Sequence, residues 1–239
     1  MDKNRDGDGD RDGDRDLITL ISNRHSVRGF SAQPVPPALI HEILDVARNC
    51  PTGGNMQPWN IAVVSGQHRQ ALAKDLLQAF DERREPNPDY DYYPKKDVTP
   101  YGFRRHAAGV NLYRAAHIKF TATEADWPAV MAFVRKNYDF FGAGTALIFH
   151  INRDLTAGAH IDIGLMMQNI ILLAEYHGLK TCPQAAIANY PDIVRRQLNL
   201  GEECKILCAL SLGYADPAQP VNQARISKES VEKFTKWYD

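Results

Sequence analysis

Cysteine is scarce in this chain and follows no pattern. Its four thiols (Cys50, Cys182, Cys204 and Cys208) form no C-x-x-C pair and take no zinc-type spacing with histidine. Neither a disulfide framework nor a structural zinc is indicated, and reduced thiols in the cytoplasm are expected. Excess charge is lacking as well. The formal net charge is −1 over 239 residues, so no strong field draws the protein to nucleic acid or to an anionic membrane. No apolar leader stands at the polar N-terminus, which argues against a secretory signal. The apolar run from Ile161 to Leu173 contains Asp162, Gln168 and Asn169 and is followed by Glu175. It is too short and too polar to span a bilayer, and reads as a buried helix.

The familiar catalytic loops are missing too. There is no G-x-G-x-x-G after a strand, no G-x-x-x-x-G-K-[ST], no H-E-x-x-H and no G-x-S-x-G. The eight histidines are scattered. Rossmann-type hydride transfer, phosphoryl transfer, zinc hydrolysis and α/β-hydrolase chemistry all lose their sequence support.

What is present divides into a tail and a domain. Residues 2–16 carry seven Asp against four Lys/Arg, a balance of −3, which leaves +2 for residues 17–239. The tail 1–16 has no apolar residue after Met1 to offset its ordering entropy and is expected to be disordered. Two of its stretches, from Asp2 and from Asp8, match the first half of a calcium loop. Their twelfth positions are Gly13 and Thr19 rather than a bidentate Glu, so calcium binding is not expected.

Residues 17–239 read as one domain. A short helix is expected over Leu17–Asn23 with Asp16 as its N-cap. Pro36 and Pro37 open a second, whose apolar positions Leu39, Ile40, Ile43, Leu44 and Ala47 have helical spacing. Ile61–Ser65 reads as a buried strand and Gln67–Phe80 as an amphipathic helix. Residues 81–137 differ in character, with Pro86, Pro88, Pro94 and Pro100 interrupting a stretch rich in tyrosine and charge, and helical patterns over Arg105–Ala116 and Trp127–Asn137. They read as an insertion, because their aromatics would be costly to leave in water. Strands are expected over Ala146–Ile151, Lys180–Cys182 and Ile206–Gly213, with helices over about Ala159–His177, closed by Gly178, and over Asp192–Leu198. The long helix is apolar on nearly every side, which predicts burial between two subunits.

Two short runs carry chemistry. Arg24-His25-Ser26-Val27-Arg28 sets two guanidinium forks four residues apart with a hydroxyl between them, a set that matches a doubly charged phosphate. Pro51-Thr52-Gly53-Gly54-Asn55-Met56-Gln57-Pro58-Trp59 leads into the first strand. Paired glycines allow close approach to a flat ligand, and Asn55 and Gln57 each offer both a donor and an acceptor to a heteroaromatic edge.

R-x-S-x-R followed by P-[ST]-x-x-N-x-Q-P-W and a strand resembles the FMN-dependent nitroreductase family. The resemblance extends over about residues 17–80 and 138–228. It includes the apolar stretch Gly164–Ala174 and the strand ending Leu212-Gly213-Tyr214, with Asn222 and Arg225 beyond it. The segment Asn137–Ala143 is similar to members acting on nitrobenzoates and dinitroanilines. The resemblance implies an α+β fold, with a central, mainly antiparallel sheet flanked by helices in an intertwined homodimer, and a variable substrate lid at about 81–137.

It further implies FMN as cofactor and NADH or NADPH as electron donor. A small nitroaromatic acceptor would be reduced to hydroxylamine or amine with ping-pong kinetics. Arg24, Ser26 and Arg28 would hold the phosphate, ribityl chain and pyrimidine edge, with His25 acting through its backbone, and Arg225 would complete the phosphate site near Gly213. Pro51, Thr52, Gly53, Asn55 and Gln57 would reach the same flavin from the partner subunit. Pro183, Gln184, Ala185 and Ala186 would form a loop whose backbone N–H faces flavin N5; no side-chain acid or base is assigned. Tyr90, Tyr93, Phe103 and Trp127 are the candidate substrate residues. Relatives often carry Glu and Gly where this chain has Gln184 and Ala185. The other activities of such a fold remain open, among them flavin or quinone reduction and reductive dehalogenation, as does a non-catalytic flavin-binding module.

Overall fold

The computed structural model describes residues 16–121 and 123–238. The tail and its calcium-like stretches lie outside the described residues, apart from Asp16.

Four strands build one sheet: β1 (Asn60–Ser65), β2 (Thr145–Asn152), β3 (Lys180–Gln184) and β4 (Cys204–Gly213). Their order is β1-β2-β4-β3 and every pairing is antiparallel. The two central strands are covered on both faces, which is why they read as continuous apolar runs. Ala146, Ile148, Ile206 and Ala209 join the core on one face. Leu147, Phe149, Leu207, Leu210 and Leu212 join the core on the other.

Helices supply both covers. On the first face, α3 (Gly66–Asp81) buries Leu72, Ala73, Leu76 and Ala79, and α7 (Pro191–Leu198) adds Ile193 and Val194. On the second, α2 (Pro37–Ala47) contributes Ile40, Ile43 and Ala47. Beside it, α6 (Ala157–Tyr176) contributes Ala159, Ile163, Met166, Ile170 and Ala174. These spacings of three and four are one helical face, as expected from the sequence. Gly178 follows α6 at φ +73°, the left-handed conformation that lets the chain leave a helix and enter β3. α1 (Leu17–Asn23) is capped by Asp16, whose carboxylate accepts the Thr19 N–H at 3.2 Å.

Two expectations need correction. β1 is an edge strand, and Val63 is exposed; a short apolar run does not reveal whether a strand has one neighbour or two. In the 81–137 segment, α4 (Tyr101–Ala115) begins four residues earlier than its apolar pattern and buries no residue; Val130 and Phe133 of α5 (Trp127–Arg135) are buried. Most of the segment's aromatics, including Tyr92, Tyr93, Tyr101 and Phe103, are exposed in the single chain.

α6 is buried on one side only. Its other side presents Ile161, 67% exposed, and Leu165, 40% exposed. Further along, Leu172, Leu173 and Tyr176 line an apolar groove of about 380 Å³ with Leu17 and Leu20 of α1 and Val46 of α2. The helix is long and apolar enough to cross a membrane. Here it packs on α2 and β3, as a core helix does.

Candidate functional site

The arginine run leaves α1 and lies along the free edge of β3. Ser26 forms a parallel bridge with Thr181, and the Val27 N–H donates to the Thr181 carbonyl at 3.0 Å. Val27 is fully buried, and this fixes the register of the polar residues around it. The His25 ring turns back to the Asn23 carbonyl, with Nδ1 at 3.0 Å.

Asn222 joins this run to the C-terminal arm. Its side-chain oxygen accepts the Arg28 N–H at 2.9 Å, and its Nδ2 donates to the carbonyls of Gly29 and Asp216 at 2.8 and 3.0 Å. Its own carbonyl accepts from Arg225 at 3.1 Å. One buried amide thus brings Arg225 to Arg28, nearly two hundred residues away in sequence. Asn222 was noticed in the sequence only as part of an arm, and a lone Asn carries no signal that it bridges two segments.

Arg28 donates to the Ser26 carbonyl at 3.2 Å and lies 5.9 Å from the centroid of the Phe141 ring. Its charge acts against the burial that pushes the Cys182 thiol up to about 11. Among the described residues no carboxylate pairs with Arg24, Arg28 or Arg225. Guanidinium groups assembled without counter-charge suit an anion, and phosphate oxygens match their forks.

Behind the run sits a strained joint. Phe140 and Phe141 both take left-handed backbone conformations, at φ +53° and +54°. Such conformations are costly for bulky residues and persist only where the surroundings enforce them. The Phe141 carbonyl accepts the Phe30 N–H at 3.3 Å, and the Phe140 carbonyl accepts the Ser211 hydroxyl at 3.0 Å. The Asn137–Ala143 segment is therefore a buried support for the arginine run and for β4. Gly213 belongs to the same support, since a Cβ there would stand 3.2 Å from the Phe30 ring. Gly213→Ala is expected to cost about 1–2 kcal/mol through overpacking; a urea midpoint equal to that of the parent would show that Phe30 has room to move.

At the far end of β3 the chain turns at Pro183–Ala186. The Gln184 side chain is buried, accepting from the Ser211 hydroxyl and donating to the Asn137 carbonyl at 2.8 Å. It is tied into the core, which leaves only the main chain of Gln184 for a ligand. Ala185 opens a 3-10 turn over Ala185–Asn189, and the first N–H groups of such a turn have no partner within it. Four residues of strand, on the order of 13 Å, separate Thr181 beside the arginines from these donors.

Pro183, Gln184 and Ala185 line a cleft of about 440 Å³ together with His160, Gly164 and Met167 of α6, Leu207 and Cys208 of β4, and Tyr90 and Tyr92. Tyr90 arrives on a strap, residues 84–93, laid across β4. Its hydroxyl donates to the Leu207 carbonyl at 2.6 Å. The strap is anchored by Asp89, whose carboxylate accepts from Arg195 at 2.8 Å, from Arg153 at 3.0 Å and from the Ile206 N–H at 2.9 Å. Sequence reasoning missed Asp89 and Arg195, since neither sits in a motif.

The other candidates are placed differently. Tyr93 stacks edge-on against Tyr92 at 4.8 Å and carries the Arg105 guanidinium over its ring, just outside the cleft. Phe103 points to solvent from α4 at 72% exposure. Trp127 lines a separate hollow of about 290 Å³ with Tyr113 and Phe120. This chain does not bring Phe103 and Trp127 to the cleft, because α4 packs on the C-terminal arm and α5 on residues 136–142 instead.

The loop that follows Pro51 stands apart as well. Gly53–Asn55 form a 3-10 turn, with Asn55 and Gln57 at φ +58° and +47°. Thr52 Oγ1 accepts the Gln57 N–H at 3.2 Å, and the Gly53 N–H reaches Asp162 of α6 at 3.4 Å. Both amide side chains are exposed, and among the described residues the loop's side-chain hydrogen bonds stay within it or go to Asp162. This strained loop is braced on the buried Asp162 of α6.

This architecture has known counterparts. The family model described as the nitroreductase family matches residues 21–214. A 4-nitrobenzoate reductase of Pseudomonas putida is 34% identical over 221 residues, covering 92% of this chain and 94% of its own. A chloronitrobenzene nitroreductase of Comamonas testosteroni is 33% identical over 217 residues, covering 90% and 94%. Among solved structures, the FMN- and NADPH-dependent nitroreductase NfnB of Sphigopyxis sp. strain HMH superimposes with a TM-score of 0.89 at 32% identity, over 94% of this chain and 99% of its own. In sequence and in fold, the chain belongs to the nitroreductase family.

Proposed function

We propose that the protein is an FMN-dependent oxidoreductase that uses NADPH or NADH to reduce small nitroaromatic compounds, working as a homodimer in the cytoplasm. The observation that carries the reading is the arrangement along β3. Three guanidiniums without a carboxylate partner stand at one end of the strand, Arg28 and Arg225 joined through Asn222 and Arg24 on the same run, and a turn with open N–H donors lies at the other, beside an apolar cleft. Phosphate, polyol and flat ring of one flavin mononucleotide need that sequence of environments. The names of the relatives, which include FMN, NADPH and nitroaromatic substrates, support the same assignment.

Arg24, Arg28 and Arg225 hold the phosphate, and the Ser26 hydroxyl serves the chain next to it. The N–H groups of Ala185 and Ala186 face the ring, with Pro183 and Gln184 behind them. Bound FMN supplies the two-electron chemistry, and the protein supplies position and electrostatics. A second copy covers the exposed side of α6 and α1 and brings its Thr52–Gln57 loop, with Asn55 and Gln57, over the same ring. Residues 81–137 act as the lid, with Tyr90 on its strap as the innermost aromatic. No separate nucleotide-binding motif is present, so donor and acceptor use one cleft in turn, which gives ping-pong kinetics.

The test is anaerobic. Protein reconstituted with FMN is expected to be yellow, to bleach with NADPH or NADH, and to recover its colour on adding a nitroarene, with parallel double-reciprocal plots in steady state. Tight flavin binding without bleaching by either nucleotide would favour a non-catalytic flavin-binding protein instead.

A further inference from the structure

The cleft beside Pro183–Ala185 is poor in positive charge. Neither lysine nor arginine lines it. Its walls are the rings of Tyr90 and Tyr92, the α6 side chains Ile163 and Met167, and Leu207 and Cys208. Burial raises the pKa of both tyrosines and pushes the Cys208 thiol up to about 12, so these groups stay protonated and neutral at physiological pH. His160 has Nδ1 at 3.2 Å from the Thr156 carbonyl. The formal charge on the lining is that of Asp91, at the mouth, with Lys95 on its solvent side at 3.6 Å. That ion pair is exposed on both sides and weak.

We infer that this cleft selects neutral nitroarenes and discriminates against those bearing a carboxylate. The inference rests on the proposed function and narrows its substrate class. A nitrobenzoate entering the cleft would give up water around its carboxylate and find rings, aliphatic side chains and a like charge in return. An ionised group desolvated without a partner is strongly disfavoured. A chlorine, methyl or ester substituent meets no such penalty and gains contact with the walls. The relatives' names include both an anionic and a neutral nitroarene, so identity by itself does not make this choice.

The experiment compares 4-nitrobenzoate with its methyl ester in the FMN-loaded enzyme at pH 8, above the ordinary histidine range. Each rate is normalised to reduction of the same compound by free reduced flavin, which removes the difference in intrinsic reactivity. The normalised kcat/KM is expected to favour the ester at least tenfold, mainly through KM. In Asp91→Arg, which places a guanidinium at the mouth, that ratio is expected to fall at least fivefold. Equal normalised values for ester and acid in the parent enzyme would overturn the inference, and so would a ratio unmoved by Asp91→Arg. Failure to reduce either compound, with flavin that still bleaches, would instead remove the nitroaromatic reading on which the inference stands.

Discussion

FMN affinity is expected to fall about 30-fold in Arg28→Ala and by a similar factor in Arg225→Ala. Each guanidinium can place two N–H donors on phosphate oxygens, and a hydrogen bond to a charged group contributes roughly 1.5–3 kcal/mol. A loss of about 2 kcal/mol corresponds to about 30-fold in Kd. The Arg28 main-chain N–H keeps its bond to Asn222 in Arg28→Ala, but both guanidiniums are assigned to one phosphate. Their effects should therefore couple, and the double variant should differ measurably from the product of the singles. Arg28→Lys should restore only part of the affinity, because an ammonium keeps the charge and loses the fork. Titration of apoprotein with FMN, read by flavin fluorescence, measures all four. If the single variants bind within threefold of the parent, the phosphate lies elsewhere and the assignment of the arginine run is wrong.

Asp89→Ala is expected to destabilise the protein by about 3–5 kcal/mol, the cost of leaving a buried charge without its partner. The Asp89 side chain is 6% exposed and that of Arg195 is 9% exposed. Removing the carboxylate leaves the Arg195 guanidinium with only the exposed Glu202 at 3.5 Å and the Cys204 carbonyl at 3.1 Å, and leaves the Ile206 N–H without its acceptor. Asp89→Asn keeps an acceptor and should cost less. Arg153 is 41% exposed, so Arg153→Ala should change stability by under about 1 kcal/mol. Urea unfolding of the apoprotein separates these cases. Equal midpoints for Asp89→Ala and Arg153→Ala would show that the anchor is superficial. Because the strap carries Tyr90 to Leu207, partial loosening in Asp89→Asn should appear as a raised KM for the nitroarene before it appears as lost flavin.

Much of the fold could be read directly from residue order. Most elements in the 17–80 and 138–213 stretches fall within a few residues of their apolar patterns, because periods of two and of 3.6 report which face a segment buries. Inside the insertion the reading was poorer. Prolines and tyrosines mark a change of character there, but they do not say whether a ring meets the core, a neighbour or water. Phe103 and Trp127 looked as suitable as Tyr90, and only packing separated them.

The candidate site shows the same division. The two runs, Arg24–Arg28 and Pro51–Gln57, are read together as sites for a phosphate and a flat heteroaromatic ring, since guanidinium forks and amide side chains carry their recognition chemistry locally. By itself the sequence determined the family, the order of elements and the kind of ligand. Only the tertiary structure decided that Asn222 ties Arg225 to Arg28, that Gln184 turns inward to Ser211, and that Asp89 delivers Tyr90 to a cleft lined by neither lysine nor arginine. Those are contacts between residues dozens to nearly two hundred positions apart, set by how the strands pair, and no local pattern encodes a partner that far along the chain.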